Sequence, residues 1–453
     1  MKVTVYGGAG KIGGNKILLE GKFRFFLDFG VDFTAKSMFF TTFLQPRRFS
    51  LVKDYLTTGV LPDIQGLYKA DGSQPFAEAV VISHGHTDHY GHASLIRNDI
   101  PLYMGETTKL LIEAREKTKQ KSPELLFNTE QERKVLTFKT GDAFRIGDSI
   151  IHPVHVDHSI PAAYGFVIEA EGGTIAYSGD LRTHGPKAEM TFDFVERCRK
   201  KKADVFIVEG TRIDETTTTT EKEVEQSVLQ LCRDSSDKLV IVVVAMMDFD
   251  RLNTVLKVAD ETGRVAAVSL HHANVLEYLR KAGKRIAVPK LDENRLVAFL
   301  EKRRSGTYSK DDYPRWMAEL LNKVPTVTEG TLRRNQSKYL LVLSKAEDII
   351  TLSDIKPEKG SPFILSTSEP HSEEQLLEMD KIQNWVDLLG LKFFHIHSSG
   401  HSSQTELLKI IEEVGPKTVI PVHTENEYLF DKLLKEKGIN VVHPLQGQSF
   451  QVF

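Results

Sequence analysis

The pattern of apolar and polar positions divides the chain into a front part built of short strands and a middle part in which strands and helices alternate. Within residues 1–28, KVTVY, KILLE and FRFFLD are short apolar runs separated by the glycine-rich turn GGAGKIGGN and a second Gly corner, and they read as three strands. Further strands are expected at 79–83, 149–154, 163–169 and 174–178, with helices near 107–117 and 191–201. Strands interspersed with helices and Gly corners predict sheets covered by helices, an αββα sandwich.

After Gly210 the pattern changes. The stretch DETTTTTEKE ends in a capping box, Thr220 with Glu223, which starts a helix. KLVIVVVA, FDRLNTVLKVADETG, RVAAVSL and ANVLEYLRKAG then alternate strand with helix, the signature of βαβ units on a parallel sheet. The polar run around 302–315 is expected as a surface excursion, and strands resume at 338–343 and 362–365. KFFHIH, TELLKIIEEV, KTVIPVH and EYLFDKLLKEK then predict a final strand–helix–strand–helix unit. The longest apolar run, Leu239 to Met247, has the length of a buried strand and falls far short of the ~20 residues of a membrane span.

Composition narrows the class. With 40 % hydrophobic and 27 % charged residues, the 453-residue chain is ordinary for a globular protein of two or three domains. Its net charge of −3 excludes a global basic footprint, so any nucleic acid must be held by a local groove and by metals. Cys198 and Cys232 fall in separate predicted helices, too few for a disulfide framework or a Cys-based zinc site. The N-terminus MKVTVYGGAGKIGG has neither the apolar stretch nor the cleavage site of a signal peptide. The expectation is a cytoplasmic protein with no membrane association.

Chemistry concentrates in VVISHGHTDHYGH, residues 80–92. An apolar strand ends at Ser83 and is followed by His84, His86, Asp88 and His89, an H-x-H-x-D-H pattern. Imidazoles and a carboxylate are ligands that zinc prefers, and a loop leaving a strand can fold them around a metal. Four potential ligands in six residues exceed what one catalytic zinc needs, so two metals are implied.

These residues resemble the metallo-β-lactamase superfamily, and the resemblance continues along the chain. Asp28 in FLDFG looks like the family's first motif, a buried aspartate that orients the metal-bearing loop. HVDHSIPAAYGF puts His158 where the family has a further histidine ligand, ahead of the nearby His152 and His155, and IAYSGDLR puts Asp180 where a carboxylate bridges both metals. The HSIP run is similar to that of RNase J and its β-CASP relatives, which carry an α/β domain inserted in the lactamase fold. FIVEGT places Glu209 at that branch's acidic motif. HSSGHSS places His401 beside the scissile phosphate, and IPVHTE places His423 at the last ligand of the second metal site.

The resemblance implies a metallo-β-lactamase domain over 1–210 and 395–453, interrupted by a β-CASP domain over 211–394. It implies two zinc ions: His84, His86 and His158 on one, Asp88, His89 and His423 on the other, Asp180 on both. Asp88 would also orient the nucleophile, Glu209 would hold His401, and His401 would serve the leaving oxygen. The implied activity is hydrolysis of single-stranded RNA, 5′-to-3′ from the end with internal cutting, and the family's habit allows a homodimer. His397 and Ser399, with hydroxyls from Ser366, Thr367 and Ser368, are expected to hold a terminal 5′ phosphate in a pocket between the domains. The sequence departs from the family in having Thr424 after His423 and LSTSEPHSEEQ after Ile364, and it stops at Phe453 where RNase J enzymes continue. The competing class is a small-molecule metallo-hydrolase such as a lactonase, a β-lactamase-like enzyme or a phosphodiesterase. A 180-residue insertion and His401 speak against it, and His423 favours RNA over DNA.

Overall fold

A computed structural model describes residues 1–41, 43–69, 72–127, 133–368 and 373–453, with the side chains at 284–285 and 373–377 left aside. The chain forms two compact units, Met1–Thr217 with Gly400–Phe453, and Thr218–Ser399.

The first unit is the expected αββα sandwich. Its first sheet runs in the order Ser449–Gln451, Lys2–Gly7, Lys16–Glu20, Arg24–Leu27, Ala79–Val81, Leu102–Gly105, Val135–Phe138. Its second runs Asn440–Val441, Thr418–Val422, Val205–Glu209, Gly173–Tyr177, Ala163–Ala170, Ser149–Val156, Phe144–Ile146. Val3, Phe25 and Leu27 of one sheet meet Phe166, Tyr177 and Ile207 of the other in a shared core. Helices Leu51–Thr57 and Glu106–Lys117 cover the outer face of the first sheet. Ala188–Lys200, Gln404–Val414 and Tyr428–Leu434 cover the second through Phe194, Leu407, Ile411 and Phe430. Cys198 and Cys232 are buried free thiols, each in a helix.

The second unit is built on a seven-stranded sheet in the order Thr326–Thr328, Leu296–Leu300, Val265–Ser269, Tyr339–Leu343, Val240–Val243, Pro362–Leu365, Lys392–His395. Every pairing is parallel, as the βαβ reading predicts. Thr220 accepts from the Glu223 amide and Glu223 returns the bond, so the capping box forms as read.

One expectation is corrected. Lys392–His395 pairs with Pro362–Leu365 and is the edge strand of the inserted sheet, so the strand–helix–strand–helix unit read from KFFHIH to EYLFDKLLKEK is divided between the two units. An amphipathic strand carries no label for the sheet it joins, and the chain returns to the sandwich only at Gly400. The domain boundaries anticipated at 210/211 and 394/395 thus sit a few residues before the divisions at 217/218 and 399/400.

Candidate metal centre

The centre is set by two adjacent parallel strands of the first sheet. Arg24–Leu27 lies beside Ala79–Val81, with Leu27 level with Val81, so Asp28 comes level with the residues that lead into the histidine loop. Asp28 holds a left-handed backbone (φ 58°), uncommon for a residue with a side chain. Its Oδ1 accepts from the Ser83 amide at 2.7 Å; its Oδ2 accepts from Ser83 Oγ, Tyr177 Oη and His89 Nδ1, each at 2.7 Å. A glycine is required at position 30, where a Cβ would lie 1.6 Å from the Asp88 carbonyl oxygen. That close approach lets the Val31 amide donate to Thr87 and the Phe29 amide to His89, clamping the short helix Thr87–Tyr90.

The seven expected ligands converge. One ligand atom from each of His84, His86, His158 and Asp180 lies within 4.8 Å of the others, and the same holds for Asp88, His89 and His423. His86 Nδ1 is 3.1 Å from His84 Nε2 and 3.0 Å from His158 Nε2. Asp180 Oδ2 stands between the groups, 3.6 Å from His84 Nε2, 3.1 Å from His89 Nε2 and 3.8 Å from His423 Nε2. His423 Nε2 is 3.2 Å from Asp88 Oδ2. His152 and His155 lie elsewhere, on Glu169 and Thr140.

The outward nitrogens explain how the rings are aimed. His158 Nδ1 donates to the Gly400 carbonyl at 2.6 Å, His89 Nδ1 to Asp28, His84 Nδ1 to Ser83 Oγ at 3.0 Å and His423 Nδ1 to Thr211 Oγ1 at 2.9 Å. A proton fixed on Nδ1 leaves Nε2 as the lone-pair nitrogen, and all four Nε2 atoms face inward. Burial pushes His84 and His158 well below the ordinary imidazole range and His86 down to about 4, keeping them neutral as metal ligation requires. Although burial opposes it, His423 and His89 hold the Asp180 carboxyl well below the usual range. His89, also opposed by burial, is lifted by Asp180, Asp28 and Asp88. Asp180 Oδ1 is buried with no hydrogen-bond partner among the described residues. Converging lone pairs around an unsatisfied buried carboxylate form the donor set of a cation, and its N/O composition fits zinc.

Beside this cluster, His401 Nδ1 meets Glu209 Oε1 at 3.0 Å, and the two rings His401 and His423 stack at 5.5 Å. Burial would depress His401, but Glu209, Asp180 and Asp88 raise it to about 9. Thr211 joins the two histidines: its hydroxyl donates to Glu209 Oε2 at 2.7 Å and receives His423 Nδ1. His423 itself is left-handed (φ 54°), its amide held by the Gly8 carbonyl at 2.7 Å. Ser83, Tyr177 and Thr211 are the positioning residues that sequence reasoning missed. Ser83 and Thr211 adjoin the motifs ISHGH and VEGT, a local signal; Tyr177 reaches Asp28 only through tertiary packing.

His397, Ser399, Ser366, Thr367 and Ser368 belong to the inserted unit. There Arg251, fully buried, pairs through Nε and Nη2 with Glu221 at 2.7 and 3.0 Å. It also donates to Ser366 Oγ at 2.6 Å, to the Ser398 carbonyl at 3.1 Å and to His397 Nδ1 at 3.3 Å. Ser366 Oγ donates in turn to the Ile396 carbonyl at 2.6 Å. The expectation that Ser366 offers a hydroxyl to phosphate is therefore corrected: its proton is spent inside the fold. Thr367 is half-buried and Ser368 exposed. The rest of the run LSTSEPHSEEQ, at 369–372, lies outside the described residues.

Paired clusters of His and Asp on an αββα sandwich are similar to the sites of the metallo-β-lactamase superfamily. A family model described as a beta-lactamase superfamily domain matches residues 68–233, and one described as a Zn-dependent metallo-hydrolase RNA specificity domain matches 390–444. Both matches, and the relatives below, make the chain similar to RNase J and the β-CASP branch of that superfamily. It is 23 % identical over 384 residues to Ribonuclease J of Sinorhizobium meliloti, covering 82 % of this chain and 61 % of that protein. It is 24 % identical over 440 residues to Ribonuclease J of Corynebacterium glutamicum, 95 % of this chain and 54 % of that one. Ribonuclease J2 of Bacillus subtilis is 23 % identical over 459 residues, 97 % and 72 % of the two chains. The chain thus spans under two thirds of the first two relatives. A crystal structure of a protein of unknown function from Enterococcus faecalis matches with a TM-score of 0.75 at 19 % identity, over 99 % of both chains, a likeness of fold.

Proposed function

We propose that this chain is a ribonuclease that hydrolyses phosphodiester bonds of single-stranded RNA with two zinc ions, 5′-to-3′ from the end and with internal cutting. The observation that carries the reading is the pair of ligand clusters joined at Asp180, with His401 held by Glu209 beside them. His84, His86 and His158 would hold one zinc, Asp88, His89 and His423 the other, and Asp180 would bridge. When bound, the metal pair supplies water activated at neutral pH and positive charge against the phosphate.

The chain's own residues do the rest. Asp28 holds His89 through Nδ1 and the histidine loop through the Ser83 amide, so the ligands keep their aim. Asp88 orients the attacking water. Glu209 fixes His401 by Nδ1, which leaves Nε2 to give a proton to the departing oxygen. Half-buried His397 and Ser399, with Thr367 and Ser368, hold the terminal 5′ phosphate. Among the described residues no helix is long and apolar enough to cross a membrane, in keeping with the cytoplasmic setting proposed for such an enzyme.

The deciding experiment incubates purified protein with 5′-labelled RNA, matched DNA and a chromogenic lactam, with and without chelator. Chelator-sensitive release of mononucleotides from RNA alone is expected. Lactam turnover with intact RNA would hand the site to small-molecule hydrolysis. Trimming only from the 3′ end would remove the phosphate-holding role of His397 and Ser399 and leave the metal chemistry standing.

A further inference from the structure

The segment that follows Asp28–Val31, beside the metal loop, leaves most of its large apolar side chains exposed. Gly30 and Val31 are buried against the loop, and the Val31 amide is bonded to Thr87. From Phe33 onward the chain exposes one large apolar residue after another. Phe33 is 57 % exposed, Met38 74 %, Phe43 89 %, Leu44 56 % and Phe49 88 %. Exposed apolar groups scattered singly need no explanation, but a contiguous set of this size marks a binding surface.

Charge indicates what binds. Between 33 and 53 the sequence has four cations, Lys36, Arg47, Arg48 and Lys53, and no acid, in a chain whose net charge is −3. Arg48 Nη2 reaches the Lys121 carbonyl at 3.3 Å, which brings in the exposed Lys121. Two of the cations are answered, Arg47 by Asp54 and Lys36 by Glu124 at 2.9 Å, which also takes Tyr55 Oη at 2.7 Å. Arg48, Lys53 and Lys121 add charge beyond those pairs. The Arg47 guanidinium also lies over the Phe49 ring, 5.6 Å from its centre. Exposed phenyl rings among cations match the chemistry of a flexible polyanion with stackable bases, and the segment continues from Phe29 and Val31, whose amides are bonded to the metal loop.

We infer that Phe33, Met38, Phe43, Leu44 and Phe49, with Arg48 and Lys121, form a stacking and phosphate-binding surface for single-stranded RNA entering or leaving the metal centre. This rests on the ribonuclease reading. Base–aromatic stacking tolerates any sequence, and basic neighbours track the backbone. A duplex hides its base faces, so the surface discriminates against double strands. It also supplies the local footprint that the overall charge lacks.

The test uses full-length protein and labelled single-stranded RNA, with His401→Ala as a cutting-deficient background for binding. Phe43→Ser with Phe49→Ser should weaken single-strand binding about ten- to a hundredfold. The substitutions should leave the melting temperature, the sedimentation coefficient and hydrolysis of bis(p-nitrophenyl) phosphate unchanged. Arg48→Gln with Lys121→Gln should reduce the slope of log affinity against log salt by about 0.7 for each phosphate no longer neutralised. Affinity within twofold of the parent overturns the surface. So does a change confined to self-association, or to binding of phosphatidylserine vesicles, which would assign the patch to a second copy or to lipid. A parent that hydrolyses the small phosphodiester but neither cuts nor binds RNA overturns the ribonuclease reading itself. RNA cutting with an insensitive patch overturns only this inference.

Discussion

Arg251 in the inserted unit and Asp180 in the sandwich are both ionised groups shut away from water, at 0 % and 2 % exposure. Arg251 is answered within the chain: a carboxylate takes two of its N–H groups, and a hydroxyl and a carbonyl take others. Asp180 faces imidazoles whose outer nitrogens are occupied by other partners, and one of its oxygens has none among the described residues. Burying a charge is tolerated when its pairing and hydrogen bonds are complete. The contrast teaches that completeness marks structure here, and that the incomplete cluster is the one prepared for something from outside the chain.

The largest effect should come from removing a donor of the incomplete cluster. Protein never exposed to chelator should carry close to two zinc equivalents by elemental analysis. His86→Ala should abolish hydrolysis and lower that content, with circular dichroism little changed because the sheets do not depend on the loop. Folded parent protein with no metal would dissolve the contrast. Next, His401→Ala should keep its metals and lose about 10²–10⁴-fold in rate. Loss of zinc in that variant would move His401 into the ligand set.

On the complete side, Arg251→Met removes the guanidinium that answers the buried Glu221 carboxylate and should cost about 3–5 kcal/mol in the inserted unit, read by hydrogen exchange. Pairing it with Glu221→Leu should recover most of that loss while zinc content stays fixed throughout. A smaller change is expected for Thr211→Val, which removes the acceptor of His423 Nδ1. Zinc affinity should fall about 10–100-fold, measured by chelator competition. Unchanged affinity would mean the backbone alone aims His423.

The smallest effect is a pH dependence. Glu406 caps Gln404–Val414 and accepts from Thr183 at 2.6 Å and His184 at 3.0 Å. Burial opposes ionisation, but His184 and Thr183 bring its carboxyl from 4.5 down to about 2. A carboxyl lowered on folding adds stability that is complete above its unfolded value and is lost as pH falls from 4.5 towards 2. After allowance for solvent screening the contribution is on the order of 1–2 kcal/mol. Glu406→Gln should therefore lower the urea midpoint at pH 7 and leave it nearly unchanged near pH 2. An equal deficit at both would assign the effect to shape rather than charge.

The ligand cluster was legible because it is local and ordered. His84, His86, Asp88 and His89 share one loop, and Asp28, Asp180 and His423 each follow a strand, where a short apolar run announces them. The βαβ alternation after Gly210 was equally plain, since parallel strands buried on both faces read as continuous apolar runs. What escaped depends on side chains meeting across the fold. Tyr177 reaches Asp28 from the other sheet, and His158 is aimed by a main-chain carbonyl at Gly400, which no residue type encodes. That KFFH and TELLKIIEEV fall in different units was not legible, because pairing partners are non-local. Ser366 failed because a serine at a strand end gives no sign of whether its proton is already spent.

The parallel pairing of Val205–Glu209 with Thr418–Val422 has a consequence for biosynthesis. About 210 residues of chain separate the two strands, which at 5–20 residues per second is on the order of 10–40 s of translation. Throughout that interval the apolar strand ending at Glu209 stands at the ribosome as an open edge, a hazard for pairing with another nascent chain. The inserted unit, contiguous in sequence, can fold while the sandwich waits. A metal held by both clusters could meet all of their donors only once His423 has emerged, so loading of the paired site would follow synthesis of the inserted unit.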